Sequence, residues 1–277
     1  MRIHAVGCGS QGNVREKNDD FFCVGPFIEQ TALTAITLDE TTTYYNKYGV
    51  LAAVADGIGG YQGGRFASQI VLETFSAQFY SEQRDGCEIR ELAADITRYL
   101  RETQRILEGK LSRNSSMGEA GTTLAGIVLM PPDYLVIFHA GDSRVLRASG
   151  GFIRALTIDH TLVGADVDAG RLSEQEALAV EGGDRLTRSL GRHGDSRVEV
   201  NIDLAWGPMD RFFICTDGFH GLGRGIPRAQ IRDTMHKFHD MDTLAVALIE
   251  EAVKRDGRDN ATLIIVDIQD TDNKHGG

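Results

Sequence analysis

The sequence predicts an α+β fold in which antiparallel β-sheets form the core and helices pack outside them. Four strand candidates follow one another between residues 122 and 155, separated only by short turns instead of alternating with helices. This clustering favours antiparallel sheets over a doubly wound parallel sheet. The chain has 277 residues, no internal repeat and no linker, so we expect a single domain over residues 1–268 and a polar tail at 269–277.

Short apolar segments in the first part of the chain are typical of strands. Residues 3–6 and 21–24 are strand candidates, and the continuous apolar run at 49–55 predicts a buried strand that ends at Asp56. Residues 28–48 are rich in Thr and aperiodic. We interpret them as a loop or hairpin excursion whose role the sequence does not reveal.

Helical periodicity follows these strands. One helix begins near Gly64 and includes Phe75, and the next spans about 89–107, where apolar residues at i, i+3, i+4 and i+7 form one face over five turns. The rest of the chain contains shorter segments. They predict strands at 122–129, 134–139, 143–148, 152–155, 198–204, 211–216 and 262–268, and helices at 173–180, at 227–238 and from Asp242, an N-cap candidate, to Arg255.

Charge and cysteine content narrow the class of protein. The 29 Lys and Arg residues against 40 Asp and Glu residues give a net charge of −11, which disfavours nucleic acid and anionic membrane as partners. No apolar run reaches the roughly 18 residues that a membrane-spanning helix needs. Four scattered cysteines without a C-x-x-C pair, and no signal peptide, predict reduced thiols in a cytoplasmic protein.

Four aspartates stand where apolar strand candidates end or begin, namely Asp56, Asp142, Asp217 and Asp259. A carboxylate at the mouth of a core is costly unless it is hydrogen-bonded or holds a cation. Sets of carboxylate oxygens suit Mg²⁺ or Mn²⁺ better than zinc. For any one of these residues a simple Asp-Gly turn is the commoner explanation. The four together favour a metal site.

Two motifs near the N-terminus resemble other kinds of site. Residues 7–12 match G-x-G-x-x-G, but a dinucleotide site needs a helix to begin there, and residues 13–20 are polar without apolar periodicity. Cys8 and Arg15 resemble a thiol phosphatase loop, but six residues separate them instead of five. We therefore exclude both a nucleotide site and a thiolate nucleophile.

Eight short motifs follow one another along the chain. They are Arg15-x-x-Asn18-Asp19-Asp20, Val54-Ala55-Asp56-Gly57-Ile58-Gly59-Gly60 with Ala67-Ser68, Gly121-Thr122-Thr123, Ala140-Gly141-Asp142-Ser143-Arg144, Ile158-Asp159-His160-Thr161, Leu186-Thr187-Arg188-Ser189-Leu190-Gly191, Cys215-Thr216-Asp217-Gly218 and Asp259-Asn260-Ala261-Thr262. Their order and spacing resemble the metal-dependent protein serine/threonine phosphatases of type 2C (the PPM family), in their single-domain bacterial form, over residues 5–268. The resemblance implies a sandwich of two antiparallel sheets flanked by helices, an α-β-β-α arrangement.

The resemblance also implies a centre that holds two Mg²⁺ or Mn²⁺ ions tightly. Asp56 would bridge both ions, and Gly57 would bind one of them through its backbone carbonyl. Asp217 and Asp259 would complete the ligands of the other ion. Asp142, together with Asp217, would form a third and weaker metal position.

Three further residues have roles by the same resemblance. Asp19 and Asp20 would hold metal-bound waters, and Arg15 would bind the substrate phosphate. A guanidinium can bind two phosphate oxygens at once, which an ammonium cannot do.

The reaction implied is hydrolysis of phosphoserine and phosphothreonine in proteins. A metal-activated bridging hydroxide attacks phosphorus in line, and no covalent intermediate forms. The expected partners are phosphorylated proteins, substrates of a eukaryotic-like Ser/Thr kinase, and a monomer is expected. The alternative is a catalytically weak member of the same fold that senses phosphoproteins or metal.

Several positions depart from the family pattern. Asp19 and Arg65 stand where relatives usually have Glu, and Ile58 stands where eukaryotic members have a His proposed as general acid. His160 is then a candidate proton donor, although a lone His is more often structural. Residues 161–186, a mixed and acidic stretch, correspond to the family's flap beside the metal centre.

Overall fold

The fold contains two six-stranded antiparallel sheets and a small three-stranded sheet. The computed structural model describes residues 1–59, 62–84, 86–114, 117, 119–131, 133–191, 195–203, 206–221 and 223–270. In chain order the elements are β1 (Arg2–Ser10), β2 (Phe21–Val24), β3 (Phe27–Glu29), β4 (Thr34–Asp39), α1 (Thr43–Tyr48), β5 (Val50–Ala55), β6 (Gly57–Ile58), α2 (Gly63–Ser81), α3 (Ile89–Ser112), β7 (Gly121–Thr122), β8 (Leu124–Met130), β9 (Tyr134–Ala140), β10 (Arg144–Ser149), β11 (Phe152–Ala155), α4 (Gly164–Asp168), α5 (Glu174–Leu178), β12 (Leu190–Gly191), β13 (Glu199–Asp203), β14 (Arg211–Cys215), α6 (Asp217–His220), α7 (Arg228–Lys237), α8 (Met241–Arg255) and β15 (Ala261–Gln269).

The two large sheets pack face to face. The strand order is β11-β10-β14-β15-β1-β4 in the first sheet and β13-β9-β8-β5-β2-β3 in the second, and the small sheet has the order β12-β7-β6. In β1, Ile3 and Ala5 point into the space between the large sheets, while Val6 and Cys8 point to the opposite face. This alternation is what a strand with both faces covered requires.

Helices cover the outer face of each large sheet. On the second sheet α2 and α3 pack through residues such as Phe75 and Leu92, which join Phe138 of β9 in one buried cluster. On the first sheet α8 packs against β1 and β15, and its Leu244 and Leu248 belong to the buried cluster there. The predicted α-β-β-α arrangement is therefore confirmed.

Residues 28–48 contain more regular structure than the expected loop. Thr34–Asp39 forms an edge strand that pairs with β1, with Ala5 opposite Ile36, and Thr43–Tyr48 forms a short helix. Burial alternates along much of β4, so Ile36 and Leu38 pack against the core between the sheets. The Thr-rich composition concealed this period-2 pattern, although Thr itself favours strands.

Other differences concern element ends. The N-cap of α8 is Asp240 and not Asp242, because Asp240 accepts a hydrogen bond from the Thr243 amide at 2.9 Å, and Asp242 lies in the first turn. Strand β15 includes Gln269, which the sequence assigned to the tail, and residues 271–277 lie outside the described residues. Among the described helices none is both long and apolar enough to cross a membrane.

The G-x-G-x-x-G segment belongs to a strand. Residues 7–10 form the end of β1 and pair with β15, and the chain from 11 to 20 contains no helix. A pyrophosphate site at a helix N-terminus is therefore absent from this segment, as the polar sequence after Gly12 predicts.

Candidate metal centre

The ends of several strands meet at one edge of the sandwich, where aspartates from five separate segments come together. They are Asp19 and Asp20 between β1 and β2, Asp56 between β5 and β6, Asp142 between β9 and β10, Asp217 at the first position of α6, and Asp259 before β15. Burial and the neighbouring charges of Asp20, Asp217, Asp142 and Asp259 raise the pKa of Asp56 well above its usual range. The structure thus places Asp20, Asp142, Asp217 and Asp259 within electrostatic reach of Asp56, and Asp19 within reach of Asp259.

The backbone around Asp56 is held by two threonines, Thr122 at the end of β7 and Thr123 directly after it. The Asp56 amide donates to the Thr123 hydroxyl at 3.1 Å, and its carbonyl accepts from the Thr122 hydroxyl at 2.8 Å and from the Thr123 amide at 2.9 Å. With its backbone groups satisfied in this way, the Asp56 carboxyl group is directed to the centre, where it lies within hydrogen-bond reach of Asp217.

Glycine at position 57 allows two segments to approach closely. A Cβ added to Gly57 would lie 2.3 Å from the carbonyl carbon of Gly64, at the start of α2, and 2.9 Å from the carbonyl oxygen of Asp19. Any larger residue would force these segments apart. This contact holds the Gly57 backbone, the predicted carbonyl ligand, beside the loop that carries Asp19.

Asp20 is fully buried and oriented by two hydroxyl groups. Its Oδ2 atom accepts hydrogen bonds of 2.8 Å from both Thr216 and Thr262, whereas Oδ1 has no hydrogen-bond partner in the described part of the chain. Burial is the main reason that the pKa of Asp20 rises to about 7. The two threonines therefore hold one carboxylate oxygen and leave the other available to the centre.

Asn260 links the loop that carries Asp19 to the beginning of β15. Its side-chain oxygen accepts from the Asp19 amide at 2.9 Å, and its amide group donates to the carbonyls of Gln11 and Lys17, both at 2.9 Å. Ser68 of α2 donates to the Asp19 carbonyl at 2.5 Å. Sequence analysis quoted Asn260 only as part of a motif, and its three contacts show that it fixes the loop.

Arg15, the predicted phosphate-binding residue, forms an ion pair with Asp259, a predicted metal ligand. The Nη2 to Oδ2 distance is 2.5 Å, and 55% of the Arg15 side chain is exposed. Its guanidinium is also within electrostatic reach of Asp56 and Asp217. Arg15 therefore stands at the rim of the centre with more than half of its side chain exposed.

Asp142 lies on the flap side of the centre. A cavity of about 130 Å³ is lined there by Asp142, Asp159, Asp184 and Asp217, among others. Arg144 forms two hydrogen bonds of 2.7 Å with Asp159, which neutralises that carboxylate and lowers its pKa. Burial and the charge of Asp217 instead raise the pKa of Asp142 well above its usual range.

The donor set fits divalent cations. Three buried carboxylate oxygens, one each from Asp19, Asp20 and Asp217, have no hydrogen-bond partner among the described residues. Burial, and the charge of Asp259, raise the pKa of Asp217 to about 6. Several carboxylates collected at one place repel one another, and an oxygen-only set of this kind is what Mg²⁺ and Mn²⁺ bind.

A second cluster of residues that could bind a metal ion lies against an arginine side chain. His139, His160 and Glu199 bring ligand atoms within 4.8 Å of one another. The Arg188 guanidinium lies 3.1 Å from Nε2 of His160 and donates to the Glu199 carboxylate. The two imidazoles stack with centroids 4.4 Å apart. A cationic side chain therefore already supplies the positive charge that a metal would bring.

The contacts of His160 indicate a structural role and not that of a proton donor. Its Nδ1 atom accepts from the Gly141 amide at 3.2 Å, and its Nε2 atom lies 3.2 Å from Glu199. Burial lowers the pKa of His160, which disfavours the protonated form that a general acid needs. Ile58 at the end of β6 offers no proton either, so the structure provides no imidazole in place of the family's His at that position.

Comparison with known proteins agrees with this geometry. Residues 38–251 match the family model described as protein phosphatase 2C. The serine/threonine phosphatase Stp of Listeria welshimeri is 25% identical over 217 residues, which are 78% of this chain and 84% of that protein.

Solved structures share the fold. The S. agalactiae serine/threonine phosphatase superposes with a TM-score of 0.79 at 24% identity, covering 96% of this chain and 100% of the other. The catalytic domain of PstP, solved with two manganese ions, superposes with a TM-score of 0.75 at 24% identity, covering 98% of this chain and 100% of the other. The family model spans most of the chain, and the chain therefore belongs to the protein phosphatase 2C family.

Proposed function

We propose that this protein is a metal-dependent phosphatase that hydrolyses phosphoserine and phosphothreonine in other proteins. One observation carries the proposal: carboxylates from five segments converge with unpartnered buried oxygens beside an exposed arginine. Such a site can hold divalent cations and a phosphate dianion together, and the family membership and the named activity of the relatives support the same reaction.

Five positions would hold the metal ions. We assign Asp56 as the ligand shared by two Mg²⁺ or Mn²⁺ ions, the Gly57 carbonyl as a ligand of one, and Asp217 and Asp259 as ligands of the other. Asp142, with Asp217, would hold a third, weaker ion on the flap side. Bound divalent cations supply positive charge that lowers the pKa of nearby water and stabilises negative charge on phosphorus oxygens.

Asp19 and Asp20 orient water at the centre. Because Thr216 and Thr262 fix one oxygen of Asp20, its other oxygen accepts a hydrogen bond from water in a defined direction. Asp19, held through its backbone by Asn260, does the same from the adjacent position. No Ser, Cys or His nucleophile is needed, since water is the attacking group.

Arg15 binds the phosphate group. It pairs with Asp259 when that carboxylate has no cation, and it is released toward the substrate when Asp259 holds one. The planar guanidinium then donates to two phosphate oxygens at once. Its position at the exposed rim lets it meet the phosphate as the substrate enters.

Replacing Arg15 by Ala should raise KM for a phosphothreonine peptide, with a smaller loss in kcat. Arg15 holds phosphate in both the ground and the transition state, and binding of this uniform kind appears in KM. A charge-assisted pair of this kind contributes roughly 1.5–3 kcal/mol, so we expect KM to rise about tenfold or more. Steady-state kinetics checks this, and an unchanged KM would remove Arg15 from the phosphate site.

Replacing Asp142 by Ala should leave the two tightly bound ions in place and reduce turnover. The third ion depends on Asp142 and shares Asp217, so it is the weakest of the three. Calorimetric titration with Mn²⁺ should show that the variant lacks the low-affinity binding event and keeps the high-affinity one. Loss of the tight binding event instead would show that Asp142 belongs to the inner pair.

Hydrolysis of a phosphothreonine peptide and of para-nitrophenyl phosphate, with Mn²⁺ and with EDTA, tests the proposed function. We expect phosphate release with Mn²⁺ and none after chelation. Mn²⁺ binding without turnover of either substrate would favour the alternative, a catalytically weak member that senses phosphoproteins or metal.

We further propose that the substrates are those of a eukaryotic-like Ser/Thr kinase and that the protein acts as a monomer in the cytoplasm. The family resemblance supports the kinase partnership, and the four free cysteines suit a reducing compartment. Dephosphorylation of a kinase-labelled proteome and light scattering of the purified protein test the first two statements.

A further inference from the structure

A basic pocket opens on the Asp19 side of the candidate metal centre. This cavity of about 490 Å³, here called the Lys17–Arg65 pocket, is lined by Lys17, Gln62, Arg65, Phe66, Gln69 and Met117. Two cations and two side-chain amides supply hydrogen-bond donors, and an aromatic ring and a thioether supply apolar wall. The composition suits a small anionic group on an extended chain.

Neither cation of the pocket forms an ion pair with a carboxylate among the described residues, although the Asp19 carboxylate lies within electrostatic reach of both. The Lys17 ammonium has no ion pair or hydrogen bond there. Arg65 donates one hydrogen bond, of 3.0 Å to the Asn18 carbonyl, and packs over the Phe21 ring at 5.5 Å. Both side chains are exposed and line the pocket. In a chain of net charge −11, two exposed cations that line one pocket and form no ion pair among the described residues are a distinct local feature.

The pocket borders the place where phosphate would bind. Lys17 is two residues from Arg15, and Arg65 bonds to the residue before Asp19. The charges of Arg65, Arg15 and Lys17 all act to lower the pKa of Asp19, although burial raises it overall. A peptide whose phosphate reaches Arg15 can therefore place a neighbouring side chain in the pocket.

The opposite side of the centre has the opposite charge. The flap segment carries exposed acidic residues in and around its two short helices, including Asp168, Glu174 and Glu176, whereas Asp166 is half-buried and forms an ion pair with Arg171. An acidic peptide segment is repelled on that side and attracted on the side of Lys17 and Arg65.

We propose that the Lys17–Arg65 pocket binds an Asp or Glu side chain located within a few residues of the phosphoresidue, so that the protein prefers phosphoproteins with acidic sequences at the modified site. The inference rests on the proposed function for the phosphoresidue itself. The carboxylate pairs with Lys17 and Arg65. The Gln62 side chain lines the same cavity, whereas the Gln69 amide already donates to Glu73 at 2.7 Å.

Binding of non-hydrolysable peptides tests the pocket independently of turnover. Three labelled peptides carry a phosphonate analogue of phosphothreonine, with three Glu before it, three Glu after it, or Gln at all six positions. With the Mn²⁺-loaded protein we expect one Glu peptide to bind about fivefold tighter than the Gln peptide by fluorescence anisotropy, a difference that shrinks as salt is added.

Charge variants assign the preference to the pocket. The double variant Lys17→Gln/Arg65→Gln should lose the preference, and so should Arg65→Glu, because the new carboxylate offsets the charge of Lys17. The matched control Arg232→Gln/Lys237→Gln on the exposed face of α7 should keep it. Equal binding of all three peptides by the unmodified protein, or a preference that persists in the double variant, would overturn the proposal.

The same experiment separates this inference from the proposed function. Hydrolysis of the matching phosphothreonine peptides is measured in parallel. Turnover without a charge preference would retain the phosphatase and reject the pocket, whereas a pocket-dependent preference without turnover would retain the pocket and reject the phosphatase.

Discussion

Replacing Asp56 by Asn should abolish hydrolysis of a phosphothreonine peptide while the protein remains folded. Asp56 is the carboxylate shared by both ions in our assignment, so removing its charge weakens both of them together. We expect kcat to fall by about a thousandfold or more, which corresponds to roughly 4 kcal/mol of transition-state stabilisation. Its backbone contacts to Thr122 and Thr123 do not involve the changed group, so the local structure should persist.

A control variant shows whether the loss of activity is specific to Asp56 or follows from replacing any aspartate by asparagine. Asp240→Asn changes an exposed N-cap to a residue that caps equally well, so activity and stability should match those of the unmodified protein. Steady-state kinetics at saturating Mn²⁺ and thermal unfolding compare the three proteins. Retention of more than about a tenth of the original kcat in Asp56→Asn would contradict the bridging role.

Removal of divalent cations should abolish activity and should destabilise the protein much more at pH 8 than at pH 5. In the metal-free protein the pKa of Asp20 is about 7 and that of Asp217 about 6, above the 3.8 expected for an unperturbed carboxyl. Between pH 4 and 7 the folded state therefore binds more protons than the unfolded chain. Its stability falls as pH rises through this range, because the carboxylates become charged beside one another.

Mn²⁺ should reverse this loss. Mn²⁺ binds the ionised carboxylates. It must therefore displace protons at pH 5 but not at pH 8, and it stabilises the protein more at pH 8. At a hundred times Kd a single site adds about 2.7 kcal/mol, which should raise Tm by roughly 5–10 °C at pH 8. Thermal unfolding with Mn²⁺ and with EDTA at both pH values measures this. An equal shift at the two pH values would contradict the carboxylate assignment.

Local sequence patterns predicted the parts of the fold that depend on local chemistry. The apolar run that ends at Asp56 and the one-faced helix around Leu92 were recognisable because each pattern is continuous along the chain. By contrast, Asp217–His220 forms a helix of one turn, too short to show any periodicity. Strand β4 was concealed because its pairing partner, β1, determines its structure.

The residues of the candidate site also fall into those that the sequence indicated and those that it did not. The strand-end aspartates were recognised because turns and apolar runs place them at one edge of a sheet. Long-range contacts were not recognised from the sequence. Nothing near Arg15 in the sequence indicates that it pairs with Asp259, and nothing near Asp20 indicates that the hydroxyls of Thr216 and Thr262 bind it. These pairs form only when segments about 200 or more residues apart meet in the folded chain, as the separations of 244, 196 and 242 positions show.

A crystal grown with Mn²⁺ and measured at the manganese absorption edge tests the binuclear centre most directly. We expect two strong anomalous peaks about 3.5–4 Å apart, both within coordination distance of the Asp56 carboxylate. A weaker third peak beside Asp142 agrees with the assignment of the outer ion. A single peak, no peak at Asp56, or manganese held instead by His139, His160 and Glu199 would contradict it.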